Sequence, residues 1–295
     1  MMIHIDSLTH TYRGSKTAAL DNVSMDIAEG SITGVLGPNG SGKTTLFHAL
    51  VGYIEPASGA IIIDGQETSR DQRIALGMYA GNYADSTSVS VRSLLRLASC
   101  RPTWDEGGFA RLSERFQLAL GGSLGQRSQG ERSLFATAIA LACGAPITML
   151  DEPTDALDVP TRMALTEEII RASADAAEAG TPRTFLVASH LVSELESLIE
   201  NVIVLSQGRV VCADTAEHLR AYALALVGRP EVIHRILEAD AGTRILSERQ
   251  LGRFVRIVAT GFTDVCLDTL VAADVEVQSL SFQDSFVSLI DHSMA

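Results

Sequence analysis

The chain has 295 residues, 46% of them apolar and 20% charged, a composition that supports a sizeable folded core and excludes extended disorder. Its formal net charge of -13 argues against a broad nucleic-acid-binding face, because such faces gain affinity by setting Lys and Arg against phosphates. The length predicts about two domains, one large and one small.

Cys100, Cys143, Cys212 and Cys266 are widely spaced, with no CxxC pair and no His partner at zinc-site spacing, so free thiols in a reducing cytoplasm are expected. The opening MMIHIDSLTHTY has neither the basic start nor the apolar core of a signal peptide, and secretion is not expected. Ser133 to Leu150 carries no charge and is nearly long enough to span a bilayer. Gly144, Ala145 and Pro146 divide it into a helix and a strand.

In chain order, short strands are expected at IHID, VSMDI and SITGVLG, the last running into a glycine-rich turn and the helical TTLFHALVG. GAIIIDGQ adds a strand and a turn. From about Asp85 to Cys143, apolar residues recur at helical spacing, as in VRSLLRLAS and FARLSERFQLAL, which predicts a separate helical lobe. PITMLDEP and TFLVASH each precede a helical pattern, the alternation of parallel strands with crossover helices. From about Ala221 the segments EVIHRILEAD, RFVRIVAT, VEVQSL and FQDSFVSLI predict a small appended α/β domain over 221–295.

Gly37-Pro38-Asn39-Gly40-Ser41-Gly42-Lys43-Thr44 matches GxxxxGK[ST] between a strand and a helix, the setting a phosphate loop requires. Glycines let successive backbone N–H groups face a phosphate, and the following helix adds its positive end. Lys43 supplies a mobile positive charge, Thr44 can place a hydroxyl on Mg2+, and Thr45 joins the candidate nucleotide contacts. Ile147 to Leu150 form an apolar strand that delivers Asp151 and Glu152 to the C-terminal edge of a parallel sheet, where ligands bind. Asp151 would hold Mg2+, directly or through water, and Glu152 would polarise the attacking water as general base. A helix-capping pair is the structural alternative.

With these motifs in order, the chain resembles the ATP-binding subunits of ABC transporters over about residues 1 to 220. The resemblance implies an α/β, P-loop NTPase cassette over 1–220: a mostly parallel sheet core, an antiparallel β subdomain and a helical subdomain at about 85–143. It implies ATP and Mg2+ as cofactors, ATP hydrolysis, and a head-to-tail pair of cassettes, homodimeric or heterodimeric, with two nucleotides sandwiched between them. Tyr12 stands where the family places the aromatic that stacks on adenine; otherwise it is a surface or core aromatic. Asp155-Ala156-Leu157-Asp158 resembles the loop that crosses to the opposing subunit, and His190 resembles the histidine that contacts the γ-phosphate.

Arg127-Ser128-Gln129-Gly130-Glu131 stands where the family has Leu-Ser-Gly-Gly-Gln, so Ser128 and Gly130 match and three positions differ. In the family this helix start binds ATP held by the other subunit. Ser128 and Glu131 also have capping-box spacing, and Glu131 is expected to fold back as a cap, because aimed at the nucleotide it would repel phosphate. Gly81 stands at the position of the family's glutamine, which helps bind Mg2+ and couples the site to the membrane partner. Glycine offers no side-chain ligand, so either water fills the gap or Asn82 reaches in.

Pro102-Thr103-Trp104-Asp105-Glu106 followed by FARLSERF, and the ending SLSFQDSFVSLI, resemble ABC-2 type exporter cassettes that bacteria often encode beside a GntR-type regulator. Trp104 is also suited to anchoring a loop and Asp105 to capping a helix. The resemblance implies a cytoplasmic ATPase, peripheral on the inner face of the membrane, that powers export through separate membrane-spanning permease subunits. The alternatives are a soluble cassette acting on ribosomes or DNA, and a degenerate regulatory cassette with weak hydrolysis.

Overall fold

The computed structural model describes residues 1–81, 89–190 and 192–294, and the chain divides into two units, Met1–Ala213 and Asp214–Ala295. The break falls before the short helix Ala216–Arg220 and not after residue 220. Ala216 and Leu219 are buried, and the Ser285 hydroxyl of the second unit donates to the Arg220 carbonyl.

In the first unit, β1 (Ile3–His10) and β2 (Leu20–Ile27) place buried residues among exposed ones and pair antiparallel, as half-buried strands do. After β3 (Ile32–Leu36) and α1 (Lys43–Leu50), β4 (Ser58–Ile63) and β5 (Gln66–Glu67) complete a four-stranded sheet in the order β2-β1-β4-β5. Ile3, Ile5, Val23, Ile27 and Ile61 join Leu46 and Phe47 of α1 in one core. Next, α2 (Arg70–Leu76), begun by a Ser69–Gln72 capping box, leads into β6 (Gly77–Ala80).

The helical lobe contains α3 (Val91–Ala98), α4 (Glu106–Arg115) and α5 (Gln129–Ala142). Asp105 caps α4 through the Gly108 N–H, and Trp104 packs on Phe109 with ring centroids 5.3 Å apart. Beyond it come β7 (Ile147–Asp151), α6 (Val159–Glu178), β8 (Thr184–Ser189), α7 (Val192–Leu195), β9 (Asn201–Ser206) and β10 (Arg209–Thr215).

These strands build a six-stranded sheet in the order β10-β9-β3-β8-β7-β6, with β9-β3, β3-β8, β8-β7 and β7-β6 all parallel. Every residue of β3 and β8 is buried, which suits a parallel sheet covered on both faces. Leu36 lies opposite Ser189 and Asp151 opposite Ala188, so β3, β8 and β7 end side by side at one edge. The uncharged stretch from Ser133 resolves into most of α5 and then β7, and no helix among the described residues is long and apolar enough to cross a membrane.

The second unit runs α8 (Ala216–Arg220), β11 (Leu224–Gly228), α9 (Pro230–Glu238), β12 (Arg244–Leu251), β13 (Phe254–Thr260), α10 (Asp264–Ala272), β14 (Glu276–Ser279) and α11 (Phe282–Met294). From β11 to β14 this is a βαββαβ order with an antiparallel sheet β12-β13-β11-β14, the ferredoxin-like arrangement. Leu226, Val255 and Ile257 pack with Ile233 of α9 and Leu270 of α10, while Ala225 and Val258 form a second cluster with Leu280.

Candidate functional site

The loop after β3 is shaped by close approaches. A Cβ on Gly37 would stand 2.3 Å from the Leu205 carbonyl oxygen, and one on Gly42 would stand 2.5 Å from the Ala19 carbonyl oxygen, so neither position has room for a side chain. Lys43 opens α1 and turns its ammonium back into the loop, donating to the carbonyls of Gly37 at 2.7 Å and Pro38 at 3.2 Å. Burial pushes the Lys43 pKa down, while the carboxylates of Glu152 and Asp151 pull it up. The Ser41 hydroxyl is buried without a hydrogen-bond partner among the described residues. Such a group costs free energy until something bonds to it, so a phosphate oxygen fits this loop.

The carboxylates stand across from it. Asp151 ends β7, and its Oδ2 accepts the Thr44 hydroxyl at 2.6 Å and the Tyr79 hydroxyl at 3.0 Å. A hydroxyl and a carboxylate are hard oxygen donors, and one or two carboxylates completed by phosphate oxygens is how Mg2+ is usually held. Thr44 and Asp151 therefore fit that ion. Glu152 adopts φ 53°, the left-handed region, and its N–H donates to the Ala188 carbonyl at 2.9 Å. Such backbone strain costs about 1–3 kcal/mol and clusters at functional sites. The Glu152 Oε2 lies 2.8 Å from His190 Nδ1 and accepts the His190 N–H at 3.3 Å. Ser133 of α5 donates to the Pro153 carbonyl at 2.8 Å and to that of Glu152 at 3.3 Å, fastening the turn.

A cavity of about 600 Å³ joins these groups. Tyr12, Asn39, Gly40, Ser41, Gly42, Lys43, Thr44, Thr45, Asp151, Glu152 and Asp155 line it. Tyr12 is 43% exposed, stacks edge-on against His10 with centroids 4.8 Å apart, and places its hydroxyl 3.3 Å from Thr45 Oγ1. Gly37 and Pro38 take part through the carbonyls that hold Lys43, and His190 through Glu152.

Ser128, Gly130 and Asp158 are not among the lining residues and have other partners within the chain. Ser128 and Glu131 form the expected capping box at the start of α5, with the Ser128 N–H donating to Glu131 Oε2 at 2.8 Å and the Glu131 N–H to Ser128 Oγ at 3.2 Å. That backbone bond holds the Glu131 carboxyl below its usual range. A Cβ on Gly130 would stand 2.5 Å from the Ala156 carbonyl oxygen, so its glycine admits the loop that contains Asp155. Gln129 donates to Asp155 Oδ2 at 2.6 Å. Asp158 caps α6 through the Thr161 N–H at 2.9 Å. Arg127 spends its guanidinium on the carbonyls of Ala119 and Gly121.

The ABC transporter family model matches residues 20–155, which hold the phosphate loop and both carboxylates. The daunorubicin resistance ATP-binding protein DrrA3 of Streptomyces coeruleorubidus is 31% identical over 233 residues, 74% of this chain and 70% of that protein. The chain belongs to the ABC transporter ATP-binding proteins. The ATP-binding protein NatA of Bacillus subtilis is 29% identical over 230 residues, covering 74% of this chain and 91% of that protein. An ATP-dependent lipid A-core flippase of Polaromonas is 32% identical over 223 residues, 71% of this chain but only 36% of the flippase's own length. Among solved structures, an ATP-binding subunit of an ABC transporter superposes with a TM-score of 0.62 at 22% identity, covering 75% of this chain and 92% of that one. A dimeric post-hydrolysis cassette bound to ADP and Pi gives a TM-score of 0.61 at 21% identity, covering 72% and 98%. Both show the cassette fold.

The cassette's cavity also contains residues that its motifs do not announce. His48 of α1, Tyr79 of β6, Gln129 and Arg132 of α5 line it. No sequence motif singles out Tyr79, and His48 lies within the helical TTLFHALVG without a role of its own. Gly81 lines the cavity, whereas Asn82 lies outside the described residues.

Proposed function

We propose that this protein binds and hydrolyses ATP with Mg2+, and that hydrolysis drives export through separate membrane-spanning subunits as two cassettes close on the nucleotide. The observation that carries the proposal is the convergence of the Lys43 loop, the Thr44–Asp151 pair and the Glu152–His190 pair at the common edge of three adjacent strands. Relatives named for daunorubicin resistance, lantibiotic transport and lipid A-core flipping support export.

In this reading the loop amides and Lys43 hold the phosphates, Tyr12 faces the base, and Thr44 and Asp151 hold Mg2+. Bound there, Mg2+ supplies charge neutralisation for the phosphate oxygens. Glu152 takes the proton of the attacking water, and His190, bonded to Glu152 Oε2, orients that carboxylate. Ser128, Gly130, Asp155 and Asp158 would meet the nucleotide of a second cassette, with the protein peripheral on the cytoplasmic face of the membrane.

The test is Mg2+-dependent ATP hydrolysis by the purified protein, together with an affinity pull-down of Glu152→Gln from detergent-solubilised membranes in the presence of ATP. Hydrolysis plus a multi-span membrane protein in fixed proportion is expected. Recovery of ribosomes refutes the exporter reading, and ATP binding without hydrolysis in a hetero-pair with another cassette favours a regulatory subunit.

A further inference from the structure

We propose that Tyr79 is the residue that positions Asp151 for the metal, and that residue 81 is glycine in order to admit the Tyr79 hydroxyl. The proposal rests on the Mg–ATP reading above and goes one residue further than the family resemblance, which expects a glutamine at 81 to help at the metal.

Tyr79 lies on β6, the strand beside β7, and only 8% of it is exposed. Its ring packs edge-on against two others: His48, with centroids 4.9 Å apart, and Tyr53, with centroids 5.9 Å apart, each at 74°. His48 and Tyr53 in turn lie 5.7 Å from each other, so the three rings brace one another. From this brace the Tyr79 hydroxyl donates to Asp151 Oδ2 at 3.0 Å, the same oxygen that takes the Thr44 hydroxyl.

Residue 81 is where the room for this comes from. A Cβ there would stand 2.1 Å from the Tyr79 hydroxyl oxygen and 2.4 Å from the ring carbon that bears it. A tyrosine tip can swing away from a neighbour when its ring is free, but this ring is held on two sides. Any side chain at 81 and the present Tyr79 placement therefore exclude each other. The glutamine is replaced by a hydroxyl arriving from two residues earlier, on the neighbouring strand of the sheet.

The two hydroxyls on Asp151 differ in what they can do. Thr44 is itself a candidate metal holder, and its oxygen can offer a lone pair to the ion while its O–H still donates to Asp151 Oδ2. The Tyr79 hydroxyl is a second donor to that same oxygen, and its bond serves to orient the carboxylate. Bonds of this kind, from a neutral donor to a ligating carboxylate, orient the ligand, and their loss costs roughly 10–100-fold in metal affinity.

The experiment uses the 295-residue chain in four forms, wild type, Tyr79→Phe, Gly81→Ala and the double variant. A fluorescent ATP analogue is titrated in excess EDTA, and Mn2+ is then titrated, followed by its EPR signal, at a saturating amount of a slowly hydrolysed ATP analogue. In EDTA, Tyr79→Phe is expected to bind nucleotide as wild type does, whereas its Mn2+ half-saturation rises about tenfold, the lower end of the range for such partners. Gly81→Ala is expected to shift Mn2+ binding the same way, and to add less in the Tyr79→Phe background, where the hydroxyl it displaces is gone and only the ring carbon 2.4 Å from a Cβ at 81 remains. Unchanged Mn2+ binding in Tyr79→Phe overturns the proposal, as does a parallel loss of metal-free nucleotide binding. Should Tyr79→Phe fail to fold, Gly81→Ala decides by its Mn2+ shift alone. A wild type that binds no nucleotide overturns the Mg–ATP reading itself, and the proposal falls with it.

Discussion

Glu168 offers a perturbation whose size can be worked out. It lies on α6 with 1% of its surface exposed, and its two oxygens take hydrogen bonds from Arg111 and Arg115 of α4. Arg115 also reaches Glu167 at 2.5 Å, so the lobe helix is tied to the helix that follows the Asp155–Asp158 loop. Burial alone would push the Glu168 pKa up, and the two guanidinium hydrogen bonds outweigh it and hold the carboxyl below its ordinary value. Glu168→Gln keeps the shape and removes the charge. Breaking a buried pair by removing one partner costs about 3–5 kcal/mol. Arg111 and Arg115 are 39% and 35% exposed and can rehydrate, so the expected loss is nearer to about 2 kcal/mol. At about 2–4 °C per kcal/mol for a protein of this size, the melting temperature should fall by about 4–8 °C.

The assay is thermal unfolding followed by circular dichroism, at neutral pH and then in acid. A carboxyl whose folded pKa lies below its unfolded one contributes stability above the unfolded value and loses it as pH falls through the folded value. The gap between wild type and Glu168→Gln should therefore close in acid. An unchanged melting temperature at neutral pH, or a gap that persists once the carboxyl is protonated, would refute the reasoning.

Glu152→Gln should lower the ATPase rate by about 10²–10⁴-fold, the usual contribution of a general base, with nucleotide binding by fluorescence titration unchanged. Lys43→Ala should abolish saturable binding of the same nucleotide at concentrations that saturate wild type. Gly130→Ala drives a methyl to 2.5 Å from the Ala156 carbonyl oxygen, and it should lower the melting temperature despite alanine's better helix propensity; a rise would contradict the close approach. In the second unit, the Thr263 N–H and then the Thr243 hydroxyl bring the Asp240 pKa down to about 2. Asp240→Asn should destabilise that unit at neutral pH, and the difference from wild type should vanish as acid protonates Asp240.

The phosphate loop, Asp151 and Glu152 were legible in the sequence because each stands at the end of a buried apolar strand, whereas the role expected of His190 came from the family resemblance. A parallel sheet delivers the residues after its strands to one edge whatever the details of packing. The Tyr79–His48–Tyr53 brace was not legible, since its members come from a strand, a helix and a turn, and no local period links them. The same holds for Glu168 and its two arginines, which lie more than 50 positions apart in sequence and meet only through tertiary packing. In the second unit β12 escaped notice because RILSERQL is exposed at almost every position. It is the charged edge of its sheet, where the alternation that marks a half-buried strand is absent. The placement of α8 in the second unit likewise depends on burial of Ala216 and Leu219, which a five-residue helix hardly signals.

The two carbonyls that hold the Lys43 ammonium act as tethered competitors for it. On the proposed reading, a phosphate that takes the Lys43 ammonium would have to displace the Gly37 and Pro38 bonds, and those carbonyls would be at hand to reclaim it when the phosphate leaves. The loop thus gives the ammonium a resting partner of its own. On that reading, weakening those carbonyl contacts would raise the loop's equilibrium affinity for nucleotide.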